Sequence, residues 1–339
     1  MHARLWLIVS RIAQALPALI GVVVVSFLLT RALPGDPAAY FAGAAATAES
    51  IAQVRATLGL DQPLPAQFLS YVGDLLTGNL GQSLSTGQPV LDELTRRLPA
   101  SLELTLSALL LSCLIAIPLG ILAATRQGTY WDHLCRAIVT AGVSLPTFFT
   151  GIVLVYVFYY LLGWAPSPIG RLDFLYLSPP EVTGFYVIDA LLAGDLETAG
   201  GAARQLILPA ATLALFTLAP IARMTRAAML QALSADFVRT ARAAGLSRFK
   251  IVYGYAFRNA MLSVVTTLSM VFSFTLGANV LVEKVFSWPG IGSYAVEALV
   301  VSDYAAVQGF VLTMAVLFVL LNLFVDIIYT LIDPRTGQA

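Results

Sequence analysis

Charged side chains are sparse along this chain and unevenly spaced, and the gaps between them carry the first structural signal. Six uncharged, mostly apolar stretches stand out: Ile12–Thr30 with 19 residues, Leu104–Thr125 with 22, Ala137–Gly170 with 34, Gln205–Ala222 with 18, Asn259–Val282 with 24 and Tyr304–Val325 with 22. A helix crosses the roughly 30 Å hydrocarbon core of a bilayer in about 20 apolar residues. Each stretch therefore predicts one span, six in all. The third is too long for one helix. Its apolar part ends near Leu162, and Gly163-Trp164-Ala165-Pro166 reads as an exit turn with an interfacial Trp.

Composition sharpens this picture. Of the 339 residues 58% are hydrophobic and 11% charged, against about 25% charged in soluble domains. That excludes an ordinary soluble globule, which could not cover its surface, and a disordered chain, which needs low hydrophobicity. Net charge is zero, so no basic footprint for nucleic acid is present. Two cysteines, Cys113 and Cys135, cannot build a disulfide framework. The first stretch follows Arg4 and Arg11 as a secretory signal would, but its apolar core exceeds the roughly 7–15 residues of a signal segment. An uncleaved anchor is expected.

Lys and Arg set the orientation. With the N-terminus inside, the inside segments hold 12 of the 19 positive residues and the outside segments 7, and six spans place both termini in the cytoplasm. Two connections are long. Residues 32–98, between the first two spans, contain two stretches that read as short amphipathic helices, Ser50–Arg55 and Gln67–Val72, separated by Asp61-Gln62-Pro63-Leu64-Pro65. They predict a small external subdomain. The expected organisation is residues 1–31 as the N-terminal end and first span, 32–98 as that subdomain, and 99–339 as the core, with an outer segment 164–203 and a cytoplasmic segment 223–258.

A membrane chain that moved solutes would need an energy source, and this one has none evident of its own. Its two lysines, Lys250 and Lys284, are followed by Ile251 and Val285, so no phosphate-binding loop exists. No span carries an ionisable residue at mid-depth, as a proton relay would. Glu103, Asp326 and His133 all lie near span ends. No catalytic constellation and no metal-ligand cluster can be assembled, and no cofactor is expected in this chain. A self-sufficient secondary transporter or channel is the alternative reading, weakened by the missing mid-membrane carboxylate.

The cytoplasmic segment is the most informative. Ser234 or Asp236 can cap a short helix, Gly245 supplies a positive-φ stop, and Ser247 can cap a second helix toward Asn259. The plain reading is a solvated basic loop. Ala241, Ala243 and Ala244 argue instead for close approach of another surface.

Arg239-Thr240-Ala241-Arg242-Ala243-Ala244-Gly245-Leu246 resembles the cytoplasmic "EAA" loop of binding-protein-dependent ABC importer permeases of the dipeptide/oligopeptide/nickel family. Leu33-Pro34-Gly35-Asp36-Pro37, Gly184–Leu191, Leu206–Ala210 and Glu283–Gly292, followed by Asp303-Tyr304 and Gln308-Gly309, resemble further family segments in the right order. Ala244, Tyr255, Ser263 and Ala305 stand where the family often has Lys, His, Pro and Pro. The long external loop resembles the B-type subunit.

The resemblance implies an all-α type I importer permease with six spans in a bacterial inner membrane. It implies as partners a second, C-type permease, two ATPase subunits that bind ATP and Mg, an external substrate-binding protein, and membrane lipid. It implies that Phe237–Leu246 couples to an ATPase: Gly245 as the corner, Phe237 and Leu246 as apolar anchors, Arg239 and Arg242 as polar contacts, with Thr240, Ala243 and Ala244 between them. Neutral polar residues suited to lining the path are Ser269, Ser273, Asn279 and Asn322. Dipeptide, oligopeptide, nickel chelate and other small solutes all remain open as cargo.

Overall fold

The computed structural model describes residues 2–32, 36–43 and 46–332. Leu33, Pro34 and Gly35 of the Leu33–Pro37 motif lie outside the described residues, as does Arg335. Among the described residues thirteen α-helices follow in chain order: α1 (His2–Ala32), α2 (Pro37–Ala42), α3 (Ala48–Thr57), α4 (Leu64–Leu76), α5 (Val90–Thr125), α6 (Tyr130–Gly142), α7 (Thr147–Leu154), α8 (Tyr186–Leu192), α9 (Leu196–Ser234), α10 (Asp236–Ala243), α11 (Arg258–Val285), α12 (Ile291–Val300) and α13 (Tyr304–Ile332). A π-helical segment, Val155–Leu161, continues α7, and another, Lys250–Phe257, leads into α11.

Among the described residues, four helices are long and apolar enough to cross a membrane: α5, α9, Lys250–Val285 and Tyr304–Val325 of α13. The third uncharged stretch is not one straight span. α6 and α7 are bent by 95°, with Pro146 at the N-cap of α7, where its ring cannot continue the preceding helix. The first expected span lies in α1, whose described apolar stretch, Leu16–Leu29, is shorter than the other four. Pro17, Pro118, Pro209 and Pro220 sit inside helices.

The chain forms two compact units, residues 1–98 with 290–323 and residues 99–289 with 324–339. Residues 290–323, expected in the core, pack instead in the first unit. There Val90 and Leu94 meet Ile291, Tyr294, Ala298 and Ala306. Asp303 explains the rest: fully buried, it accepts from the Ser83 hydroxyl at 2.7 Å and the Ser85 N–H at 3.2 Å, and from the Ala306 N–H at 3.2 Å in the first turn of α13. In the same unit α4 packs on α1 through Phe27, with ring centroids 5.2 Å from Phe68 and 5.7 Å from Tyr71.

α9 is the axis of the second unit and packs against α6, α7, α8, α10 and α11. Its threonines hide in the helix. Thr212, Thr217 and Thr225 each return their hydroxyl to the carbonyl four residues back, so small polar residues sit in an apolar interior without unsatisfied groups. The Glu283–Gly292 motif also folds inward. Trp288 is buried and donates to the Ala100 carbonyl at 2.9 Å, and the buried Glu283 accepts from the Ser101 hydroxyl at 2.5 Å.

Candidate coupling site

The segment expected to couple is a short helix closed by a tight corner. α10 has eight residues, Asp236–Ala243. Its N-cap is Ala235, without a side-chain bond, which corrects the expected cap: the Ser234 hydroxyl stays with α9, donating to the Gln231 carbonyl at 2.9 Å, and Asp236 is already the first helical residue. The stop is as expected. Gly245 has φ +73° and a Cβ there would meet no atom within 4 Å. The requirement for glycine is therefore one of backbone conformation, not of space. The Leu246 N–H reaches the Ala241 carbonyl at 3.2 Å and the Gly245 N–H the Arg242 carbonyl at 3.0 Å. This is the Schellman pattern. Ser247 opens the next helix, its hydroxyl accepting from the Lys250 N–H at 3.4 Å.

The corner decides which side chains face where. Val238, Ala241 and Ile251 form a small buried cluster with Leu246 packed against it. Leu246, expected as an outward anchor, turns inward, because the Schellman stop folds the residue after the glycine back over the last helical turn. Phe237, Arg239, Thr240, Arg242, Ala243, Ala244 and Gly245 are exposed on the other side. Arg239 pairs with Asp236 at 3.2 Å in full solvent. Sequence reasoning missed Phe249 and Tyr253, exposed rings with centroids 4.7 Å apart just beyond the corner. Their i, i+4 spacing inside a basic segment was the available signal. Arg248 ties the corner to the end of α5, donating to the Thr125 carbonyl at 3.4 Å.

At the other end of α9, the segment 164–203 is held by buried polar bonds. Arg171 and Glu103, both less than a tenth exposed, pair at 2.6 Å. Arg171 also donates to the Gly184 carbonyl at 2.6 Å and lies 3.7 Å over the Tyr186 ring. The Val187 N–H donates to Glu103 at 3.1 Å. Asp189 accepts from the Thr183 hydroxyl and from the N–H groups of Val182, Thr183 and Gly184 at 2.7–3.3 Å. Burial pushes its pKa up, but those donors outweigh burial and hold the carboxyl below its ordinary value. The sequence placed Glu103 only at a span end; its partner Arg171, 68 residues away, left no local pattern.

The path candidates separate. Asn279 is buried and its amide donates to the Ser101 carbonyl at 3.2 Å and the Thr105 hydroxyl at 2.5 Å. It joins α11 to α5 rather than facing an open space. Ser269 and Ser273 are half-buried on one face of α11, the Ser273 hydroxyl donating to the Ser269 carbonyl at 3.2 Å. Asn322 is exposed on α13, its amide donating to the Phe318 carbonyl at 2.9 Å.

Among the described residues no group of three His, Cys, Asp or Glu side chains suited to a metal ion exists. Among the described residues the regular elements are helices, several are apolar enough to cross a membrane, and an exposed basic helix follows the axis of the second unit; this is the build of a transport permease. The inward-facing methionine ABC transporter MetNI has a chain of the same fold, with a TM-score of 0.53 at 18% identity over 71% of this chain and 96% of that one. Residues 116–338 match the family of binding-protein-dependent transport system inner membrane components, and residues 4–105 match that family's N-terminal region. The chain belongs to this family. Similar relatives include the probable D,D-dipeptide transport system permease protein of Escherichia coli K12, 46% identical over 94% of this chain and 93% of that one. The di/tripeptide transport system permease protein of Pseudomonas aeruginosa UCBPP-PA14 is 43% identical over 97% of both.

Proposed function

We propose that this chain is a B-type membrane-spanning subunit of an ATP-driven, binding-protein-dependent importer of dipeptides or oligopeptides. It works with a second permease subunit, two ATPase subunits that bind ATP and Mg, and an external binding protein. The peptide class is supported by relatives that carry peptide transport in their names across nearly the full chain. Both termini and the segment 223–258 lie in the cytoplasm, as the distribution of Lys and Arg favours.

The observation that carries the coupling role is the two-sided build of α10. Val238 and Ala241 fasten it to the permease, while Phe237, Arg239, Thr240, Arg242, Ala243 and Ala244 are left for an ATPase groove. Closure of the ATPase pair on ATP then moves α10 as a rigid piece and biases the spans between inward-facing and outward-facing states. Ser269, Ser273 and Asn322 are the residues proposed to meet cargo; Asn279 keeps α11 against α5.

The test is a Gly245→Val substitution in the assembly reconstituted in nanodiscs. A β-branched residue at φ +73° is strained whatever the space around it. ATPase stimulation by peptide-loaded binding protein should collapse while the assembly stays intact. Unchanged stimulation would remove the lever role of α10. Failure of any ATPase subunit to assemble with the folded wild-type chain would remove the importer reading altogether.

A further inference from the structure

The C-terminal part of α9 borders a second feature that coupling does not use. A cavity of about 270 Å³ opens between α5, α6 and α9. Its apolar wall includes Leu119, Ala123 and Val139, and three guanidinium groups line it: Arg136 from α6, and Arg223 and Arg226 from α9. Gly120 brings the two long helices together beside it. A Cβ there would lie 2.7 Å from the Thr225 Cβ and 2.8 Å from the Ala222 carbonyl oxygen, so α5 closes on α9 only with glycine.

The charges around the cavity do not cancel. Asp132 is buried and takes both Nε and Nη2 of Arg226 at 2.8 Å, and the Gly128 N–H at 3.0 Å. Arg226 is thereby a structural clamp between α6 and α9. Arg136 is half-exposed, with its Nε 3.6 Å from Asp132 and its Nη2 2.7 Å from His133 Nδ1. Arg223 has no hydrogen-bond or ion-pair partner among the described residues. Three guanidiniums face one carboxylate, leaving the two exposed ones, Arg136 and Arg223, as uncompensated positive charges at the mouth of a partly apolar cavity. Arg223 directly follows the uncharged run Gln205–Ala222, so these charges stand at the level where a bilayer's hydrocarbon gives way to headgroups.

We propose that this cavity is a binding site for an anionic phospholipid of the inner leaflet. The phosphate-bearing head would lie against Arg136 and Arg223, and the first acyl carbons along Leu119, Ala123 and Val139. Basic pockets between spans at the cytoplasmic side attract such heads. The volume is smaller than the roughly 300–1,000 Å³ of small-molecule pockets, which suits a headgroup with its chains running outside. The choice of leaflet rests on the importer reading; the binding itself does not, and its readout is separate from transport.

The full chain, co-expressed with its permease and ATPase partners, would be reconstituted in nanodiscs of mixed phosphatidylglycerol and phosphatidylcholine. Lipid retained on the released chain is then read by native mass spectrometry. Phosphatidylglycerol should be retained over phosphatidylcholine. Retention should fall about fivefold for each guanidinium removed in Arg223→Gln and Arg136→Gln. Arg204→Gln, outside the cavity, should leave it unchanged. Arg223→Gln breaks no bond among the described residues and carries the test if Arg136→Gln misfolds. Equal retention of the two lipids, or wild-type retention in Arg223→Gln, would overturn the proposal. Displacement of the adduct by millimolar inorganic phosphate would reassign the cavity to a soluble anion and overturn it as well. So would loss of an ATPase subunit from the variant assembly with the lipid adduct untouched, which would make the arginines a protein contact.

Discussion

The two ends of α9, roughly 58 Å apart over its 39 residues, are held by opposite means. At its start the segment 164–203 is locked by buried charge: Arg171 on Glu103, and Asp189 beneath a ring of donors. At its end α10 is fastened by four apolar side chains and a glycine corner, and its only ion pair among the described residues stands in water. A buried pair tolerates little displacement, because moving either partner strands a charge. A small apolar patch can be loaded from outside and moved as a body. Under the proposed function this is the difference between a fixed outer frame and a movable inner handle.

Breaking the buried pair should have the largest effect. Arg171→Ala leaves Glu103 buried without its cation and should cost about 3–5 kcal/mol, read as a fall in the thermal unfolding midpoint of the purified assembly. Replacing both partners by leucine should restore much of that loss. If the double replacement is as damaging as the single one, the segment is held by something other than charge.

Asp189→Asn should cost about 2 kcal/mol, the scale of hydrogen bonds to a charged group, and should change the pH profile. The folded pKa of Asp189 is depressed, so its contribution is complete above the unfolded value near 3.9 and is lost as pH falls through the folded pKa. Wild type and variant should therefore begin to converge as pH falls below about 4 and meet only below the depressed folded pKa. A constant gap across that range would contradict the depressed pKa.

Gly245→Ala should cost about 1–2 kcal/mol locally, and Gly245→Asn less, since asparagine visits positive φ more readily. Both effects should appear in coupled ATPase activity rather than in the unfolding midpoint. The smallest effect belongs to Asp236→Ala. Its pair with Arg239 is solvent-exposed at 3.2 Å, and surface pairs of this kind contribute little. The unfolding midpoint should not move measurably.

Much of this was legible before any fold was known. The uncharged stretches anticipate α5, α9, α11 and α13, because span length and the exclusion of charge from hydrocarbon are local properties of a sequence. Gly245 announced its positive φ for the same reason: the conformational freedom of one residue needs no neighbour. The inward turn of Leu246 was not legible, since it depends on the hydrogen bonds of the corner and on Ile251 waiting across it. The break at Pro146 was visible as a proline but not as a 95° bend, because a kink angle is set by what packs on either side.

The sequence by itself determined the class of solvent this chain lives in, the number and rough position of its apolar stretches, and the short basic helix that ends in glycine. These follow from hydropathy, charge and backbone freedom, which act within a few residues. Only the tertiary structure decided that Arg171 meets Glu103, that Asp303 closes on Ser83 and Ser85, that Asn279 bonds α5, and that three arginines from two helices share one cavity. Each of these joins residues far apart in the chain. A lone charged or polar residue in a sequence does not name its partner; the partner is chosen when burial makes leaving it unsatisfied too costly.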